Sequence, residues 1–298
     1  MIRLLMTLLL AAASVPAVAA LQVFATVPEW GALVREIGGD KVSVFVATTA
    51  LQDPHRIQAR PSLLAQARRA DLVVATGADL EVGWLPLVIR DSGNAGIQPG
   101  RPGHFEAARF VTLLDVPVVV DRSQGDVHAA GNPHIQLDPR NLFRFGEALA
   151  ARMGELDPSN VAAYQAGYQA FAEKWRAAIA RWEKEALPLR GVPVLVHHSS
   201  FHYLSYWLGL KETGTLEPKP GVEPSSGHLS ALLARQQNAP AKMVLRTAYQ
   251  SDGPSLWIAG RAGIPAVMLP FTVGGTPAAG DLFGLFDDTV QRLSKALQ

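Results

Sequence analysis

A long helical pattern near the middle of the chain separates two stretches of similar character. Asp157 and Pro158 supply a helix cap and a first-turn proline, and apolar residues then recur every three or four positions up to Trp182, before Pro188. The spacing predicts a helix of roughly 28 residues, about 42 Å long at ~1.5 Å per residue. A helix of that length can run along two lobes, and its aromatic stripe is typical of packing.

On both sides of this helix, short apolar runs alternate with helical patterns, which indicates parallel α/β sheets. The predicted strands are residues 21–26, 42–47, 72–75, 192–196, 243–245 and 266–269. The predicted helical segments are residues 30–37, 62–69 (capped by Ser62), the stretch after 134, 204–208, 228–236, 256–262 and 282–297. The sequence therefore predicts an α/β fold with two lobes, each with a mainly parallel sheet flanked by helices and its own core, joined by one long helix.

The chain divides accordingly into four segments. Residues 1–20 are a predicted signal peptide, because Arg3 precedes an apolar run and the small residues Ala17 and Ala19 follow it. That run is too short for a membrane span, so a retained anchor is the weaker alternative. Residues 21–156 are the predicted N-terminal lobe, 157–187 the linking helix and 188–298 the C-terminal lobe. We expect a mature protein that is exported to the periplasm.

Charge and composition exclude some functions and some kinds of metal site. The formal net charge is +1 and no long basic run occurs, which argues against nucleic-acid binding. The chain has no cysteine, so it must rely on core packing rather than disulfides. Any bound metal must be held by nitrogen and oxygen ligands, because no thiolate is available.

Three histidines lie just past predicted strands or at the start of a helix. His55 follows Asp53 and Pro54, His134 follows Pro133, and His198 follows the strand at 192–196. Ligands of open α/β sheets bind outside the carboxyl ends of the strands, and three imidazoles make a good zinc site. The spread of these residues over both halves predicts a metal site in a cleft between the lobes.

The other histidines have simpler interpretations. Alternation along the strand sends His197 and His198 to opposite sides, so only one should face the cleft, and His197 is the weaker candidate. His128 is interpreted as a solvated loop residue, and the remaining histidines as surface or helix-face residues: His104, His202 and His228. Asp138 is expected to brace the helix after His134 or to orient an imidazole.

The motifs resemble a known family. The matching motifs are Asp53-Pro54-His55 with Pro61-Ser62, Ala70 to Val73, Pro133-His134 with Leu137-Asp138-Pro139, and His198 with Phe201, Tyr203 and Leu204. They are similar to the solute-binding proteins of metal-importing ABC transporters, the zinc- and manganese-binding class (cluster A-I) with a rigid linking helix. The resemblance implies that His55, His134 and His198 are metal ligands, that the partner is an inner-membrane ABC permease, and that the protein is a monomer.

The sequence departs from the family pattern at the fourth ligand. Many members have an acid at the end of the strand that matches 266–269, where this chain has Leu269 to Thr272. Pro54 and Arg246 also stand where some members have glutamates. Asp281 is the nearest acid downstream, and water is the alternative. The histidine-rich loop of many zinc-binding members is absent, apart from His128.

Three histidines with at most one acid favour Zn²⁺ as the transported metal over Mn²⁺, which prefers more oxygen ligands. Two other functions stay open at this stage. An exported zinc hydrolase would need a general base, but no H-E-x-x-H or G-x-S-x-G pattern occurs. An adhesin that holds zinc incidentally is the second. We expect a binding protein rather than an enzyme, whose cleft closes or orders around the metal.

Overall fold

The structure is a computed structural model that describes residues 19–118, 125–238 and 240–298. Residues 1–18 of the predicted signal peptide therefore lie outside the described residues. Within those ranges, no helix combines the length and the apolar character that crossing a bilayer requires.

Two four-stranded sheets form the centres of the two lobes. The strands are β1 Leu21–Ala25, β2 Val42–Val46, β3 Leu72–Ala75, β4 His104–Glu106, β5 Pro193–Val196, β6 Lys211–Thr215, β7 Met243–Thr247 and β8 Ala266–Leu269. All pairings are parallel, in the orders β2-β1-β3-β4 and β6-β5-β7-β8. Because the strands are parallel, the carboxyl ends of each sheet lie at one edge, where the loops after the strands can build a site.

Nine α-helices of the described ranges cover the sheets. They are α1 Pro28–Gly38, α2 Pro61–Arg69, α3 Leu85–Ser92, α4 Asn141–Leu156, α5 Val161–Glu185, α6 His202–Leu208, α7 Ser226–Gln236, α8 Gly253–Ala262 and α9 Leu282–Leu297. The predicted fold class is confirmed. The sequence did not predict β4, β6 or α3. Ser62 does not cap α2, because the helix already begins at Pro61, after Arg60.

The linking helix α5 has 25 residues, which makes it about 37 Å long. It begins after a 3₁₀ turn at Pro158–Asn160, so Asp157 is not its cap. Instead the Asp157 carboxylate accepts a hydrogen bond of 2.7 Å from the hydroxyl of Tyr164, one turn into the helix. The predicted aromatic stripe is buried against α1, α4 and α9.

The two lobes share one hydrophobic core, contrary to the expectation of separate cores. A continuous cluster runs from β1 and α1 through α4 and α5 to β5, α6 and α9. Two smaller clusters lie on the other faces of the sheets, one around Phe24, Val73 and Trp84 and one around Leu195 and Val244. The reason is α5, whose Trp175 and Trp182 contact Phe283 and Phe286 of α9.

Candidate metal centre

Three histidine side chains meet between the lobes. His55, His134 and His198 each offer one ring nitrogen, and these atoms all lie within 4.8 Å of one another. The ring centroids are 5.5 Å, 5.9 Å and 5.7 Å apart for the pairs His55–His134, His55–His198 and His134–His198. His134 and His198 are buried and His55 is partly buried. The structure thus brings together the three histidines that the sequence singled out.

His55 lies in the loop after β2, and a local turn fixes its ring. One carboxylate oxygen of Asp53 accepts from the backbone N–H of His55 at 3.0 Å and from its Nδ1 at 2.7 Å. Trp84 donates from Nε1 to the carbonyl of Pro54 at 2.9 Å and anchors the loop. A carboxylate can only accept, so Nδ1 carries the proton and Nε2 is left to bind a ligand.

His134 is held by the same device. Its backbone N–H and its Nδ1 both donate to Oδ1 of Asn132, at 3.0 Å and 2.8 Å. The Asn132 amide nitrogen donates across the cleft to the carbonyl of Ser199 at 2.9 Å. Burial lowers the pKa of His134 well below its ordinary value, and the neighbouring His55 and His198 act in the same direction. The ring is therefore neutral, the form that binds a metal.

His198 follows β5 and has a partner from a distant loop. Its Nδ1 donates to Oε2 of Glu217 at 2.6 Å, and the same oxygen accepts from the backbone N–H of Gly221 at 2.8 Å. All three rings are thus oriented through Nδ1, which is how metal-binding histidines are commonly fixed. Nε2 of His55 and of His134 is buried without a hydrogen-bond partner. Buried polar atoms seldom lack partners, so the cluster fits a cation.

Asp281 does not join this cluster. It caps α9, where its carboxylate accepts from the backbone N–H of Gly284 at 2.7 Å, and it is exposed. The cluster of three possible ligand atoms does not include it. In this structure its carboxylate serves the unpaired N–H groups of a helix start, and Asp281 as an acidic fourth ligand stays a prediction.

The remaining singled-out residues lie elsewhere or play other parts. His197 lies outside the cluster, with its Nδ1 buried and unpartnered. Asp138 braces the start of α4 through Arg140, which it binds with both carboxylate oxygens at 2.8 Å and 2.6 Å. His104 contacts Glu106, and His228 contacts the carbonyl of Thr215.

Three histidines are less exposed than the sequence suggested: His104, whose side chain in β4 is 6% exposed, His202 and His128. His202 lies between Asp115 and Glu212, and these carboxylates raise its pKa to about 10 against the opposing effect of burial. His128 lies beside the cluster, with ring centroids 5.3 Å from His55 and 6.4 Å from His134. Burial lowers the pKa of His128 to about 4, with His55 adding to the effect.

Polar contacts cross the cleft around the cluster; we call them the cleft contacts. They are Asn132 to Ser199, Asp115 to His202, Arg56 to the carbonyl of Gly221 at 3.0 Å, and Glu29 to Thr272. Cavities of about 650 Å³ and about 260 Å³ are both lined by His55, and the smaller one is also lined by His198.

The orienting residues Asp53, Asn132 and Glu217 were not identified from the sequence. A local signal existed for the first two, since each stands two positions before its histidine. Glu217 is 19 positions after His198 and gives no such signal.

Comparison with known proteins gives a consistent result. The sequence model of the family described as zinc-uptake complex component A, periplasmic, matches residues 23–296. The high-affinity zinc uptake system protein ZnuA of Paracoccus denitrificans (strain Pd 1222) is 23% identical over 93% of this chain and 90% of its own length.

Solved structures show the same fold. The crystal structure of ZnuA superposes with a TM-score of 0.78 at 24% identity, covering 94% of this chain and all of that one (100%). The solute-binding protein FpvC of Pseudomonas aeruginosa, in complex with Mn²⁺, gives 0.77 at 23% identity, covering 93% of this chain and 98% of its own.

Proposed function

The chain belongs to the family of periplasmic zinc-uptake components, and on that premise we propose that it binds Zn²⁺ through His55, His134 and His198 and delivers the ion to an inner-membrane ABC permease. The observation that carries the proposal is the set of converging imidazoles, two of them with buried, unpartnered Nε2 atoms. The matching family model describes a zinc-uptake component, which favours transport over the hydrolase and adhesin alternatives.

The ligand chemistry favours zinc. Three imidazole nitrogens at the centre of a cleft suit Zn²⁺, whereas Mn²⁺ prefers carboxylate and water oxygen. The carboxylates of Asp53 and Glu217 face the Nδ1 atoms of His55 and His198 instead of the centre. Manganese is the alternative cargo, because the structurally similar FpvC forms a complex with Mn²⁺.

The division of ligands between the lobes supports a role in capture and release. His55 and His134 come from the N-terminal lobe and His198 from the C-terminal lobe, so the ion adds a bond across the cleft. The continuous core around α5 restrains wide opening, and rearrangement is expected in the loops that carry the cleft contacts. A permease that separates these loops would weaken the site.

Chelator competition on the three single variants His55→Ala, His134→Ala and His198→Ala tests the ligands. Each should weaken zinc binding by about 100-fold or more, roughly 2.7 kcal/mol, with an unchanged far-UV circular dichroism spectrum. His228→Ala, which removes a histidine outside the cluster, is the control and should bind as wild type. Unchanged affinity in His198→Ala would point to His197 and overturn the ligand set. Tighter binding of Mn²⁺ than of Zn²⁺ by the wild type would overturn the choice of metal.

Delivery and export need separate tests. A strain that lacks the gene should grow poorly at low zinc, and the wild-type gene but not the His134→Ala variant should restore growth. The mature protein from a periplasmic fraction should begin after residue 19 or 20, as the signal-peptide prediction requires. An intact Met1 in that fraction would contradict it.

A further inference from the structure

We propose that His128 is the fourth ligand of this site, carried over the ion by a segment that spans the cleft. The inference rests on the proposed function because it concerns the same ion. It differs from both expectations for the fourth position, an acid or a water molecule, since it surrounds the metal with four imidazoles.

The first argument is an unpartnered atom. Nε2 of His128 is buried and has no hydrogen-bond partner, as is also true of Nε2 of His55 and of His134. Three such atoms on three neighbouring rings are unusual, because buried polar atoms nearly always find partners. One cation would satisfy all of them together, and a solvated loop histidine would show none of this.

The second argument is position. The His128 ring lies 5.3 Å from that of His55 and 6.4 Å from that of His134. With His134 and His198 it lines a cavity of about 170 Å³. It lies outside the group whose ligand atoms are within 4.8 Å of one another. His128 therefore flanks the cluster and needs to move inward to bind the ion.

The third argument is the way residues 125–131, which we call the strap, are attached. On the C-terminal side of the cleft, Asp126 donates its backbone N–H to the carbonyl of Pro220 at 2.9 Å. On the N-terminal side, Ala129 donates its backbone N–H to Asp79 at 3.1 Å. His128 lies between these two attachments. The strap thus crosses the cleft with its one imidazole held beside the ion site.

Glycine makes this path possible. Gly125 has φ +94° and Gly131 has φ +120°, values that other residues rarely adopt. A Cβ at Gly125 would collide with the carbonyl oxygen of Pro220, and one at Gly131 would come within 2.7 Å of the carbonyl oxygen of Leu114. Both ends of the strap are therefore shaped to lie against the lobes on either side of the site.

Most acids near the site are already engaged, and Glu223, which lines the cavity beside His198, is exposed. Asp53 and Glu217 orient His55 and His198, and Asp281 caps α9. Asp126 lies 3.6 Å from the guanidinium of Arg56. The imidazole of His128 is a buried donor without a partner, and four nitrogen ligands suit tetrahedral zinc.

X-ray absorption of the zinc-loaded full chain counts the imidazoles directly. The wild type should show four, and His128→Ala should show three with one oxygen. The variant should also lose at least about tenfold in zinc affinity, since even the partners that orient metal ligands are worth about 10–100-fold. Added imidazole should restore much of that loss. Val127→Ala, a neighbour in the strap without a donor atom, should bind zinc as wild type does.

The outcomes separate this inference from the proposed function. If His134→Ala abolishes binding while His128→Ala keeps wild-type affinity and an unchanged ligand count, the three-histidine function stands and the fourth-ligand assignment is overturned. If the wild type binds no zinc, both fail. Equal losses in Val127→Ala and His128→Ala without imidazole rescue would show that the strap matters by covering the site, and would also overturn the assignment.

Discussion

The two lobes are joined in two places by opposite kinds of chemistry. At the back, Trp175 and Trp182 of α5 pack against Phe283 and Phe286 of α9, with ring centroids as close as 5.0 Å; we call these four residues the spine cluster. At the front, the lobes are joined mainly by polar groups, which include the cleft contacts and the histidine cluster. Aromatic packing fixes orientation over a large area, whereas single hydrogen bonds contribute about 1 kcal/mol each and can be exchanged. Stability therefore belongs mainly to the back, and metal affinity to the front.

The largest expected effect is at the spine cluster. Trp175 is fully buried and donates from Nε1 to the carbonyl of Pro139 at 2.8 Å. Trp175→Ala should lower the free energy of unfolding by about 3–5 kcal/mol through the cavity it leaves. Urea unfolding of the metal-free protein measures this, with Leu256→Ala, at an exposed position of α8, as a control of small effect. The folded fraction should keep its zinc affinity, and a parallel loss of affinity would break the division between back and front.

A buried carboxylate tests the front under changing pH. Glu29 of α1 accepts from the hydroxyl of Thr272 across the cleft. Burial, with nearby Glu81 adding to it, raises the pKa of Glu29 from 4.5 to about 7. A raised pKa means that the folded state holds the proton of Glu29 more tightly than the unfolded state does. The contribution of this proton to the free energy of unfolding is therefore complete below pH 4.5 and is lost as the pH rises through about 7.

Glu29→Gln should remove that loss. Relative to wild type, the variant should gain on the order of 3 kcal/mol in unfolding free energy between pH 4 and 8. Urea titrations of the metal-free protein at several pH values measure the difference. Burial also raises the pKa of Glu81, and the contribution of Glu81 to the pH dependence of stability is present in both proteins. Glu36→Gln, an exposed change on the same helix, is the control, and a flat difference for Glu29→Gln would contradict the burial argument.

The partner of His198 gives a smaller effect, on affinity alone. Glu217→Ala should weaken zinc binding by about 10–100-fold, because His198 loses the group that orients its ring. Glu217→Gln keeps an oxygen that can accept from Nδ1 and should lose less. Isothermal titration with a competing chelator separates the two variants. Exposed Glu223 of the same loop is the control site; a loss there equal to that of Glu217→Ala would mean that loop charge, not orientation, matters.

The smallest effect is at Asp281, which belongs to the back. Asp281→Ala should lower the unfolding free energy by about 1 kcal/mol, the usual value of a helix cap, and should leave zinc affinity unchanged. Asp281→Asn keeps a capping oxygen and should be nearly neutral in both. A tenfold loss of zinc affinity in Asp281→Ala would show that Asp281 is a metal ligand. It would also show that stability and metal affinity do not depend on separate regions.

The sequence predicted the back better than the front. The periodic aromatic residues of α5 and the apolar runs of six strands are local patterns, and the structure has these elements within a few residues of the predicted bounds. The sequence did not predict β6, because this edge strand has the sequence Lys-Glu-Thr-Gly-Thr, which contains no apolar run. β4 has only three residues, too few for any periodicity.

At the site, motif positions identified the three histidines but not what surrounds them. Asp53 and Asn132 each orient a histidine two positions later in the same loop, so the patterns D-x-H and N-x-H are local signals for them. Glu217 and His128 approach only because two distant loops fold over the cleft. Asp281 is the nearest acid along the chain, but its carboxylate caps α9 in the structure, and distance along the chain does not predict this orientation.

The continuous core around α5 makes the molecule a single cooperative unit. Neither lobe can melt alone without exposing its half of the spine cluster to water, so calorimetry should record one transition with equal calorimetric and van't Hoff enthalpies. The same coupling limits the exchange of lobes between related proteins, because each exchanged lobe brings its own half of the shared core. Such hybrids keep their loops and ligands yet lose the packing that aligns them.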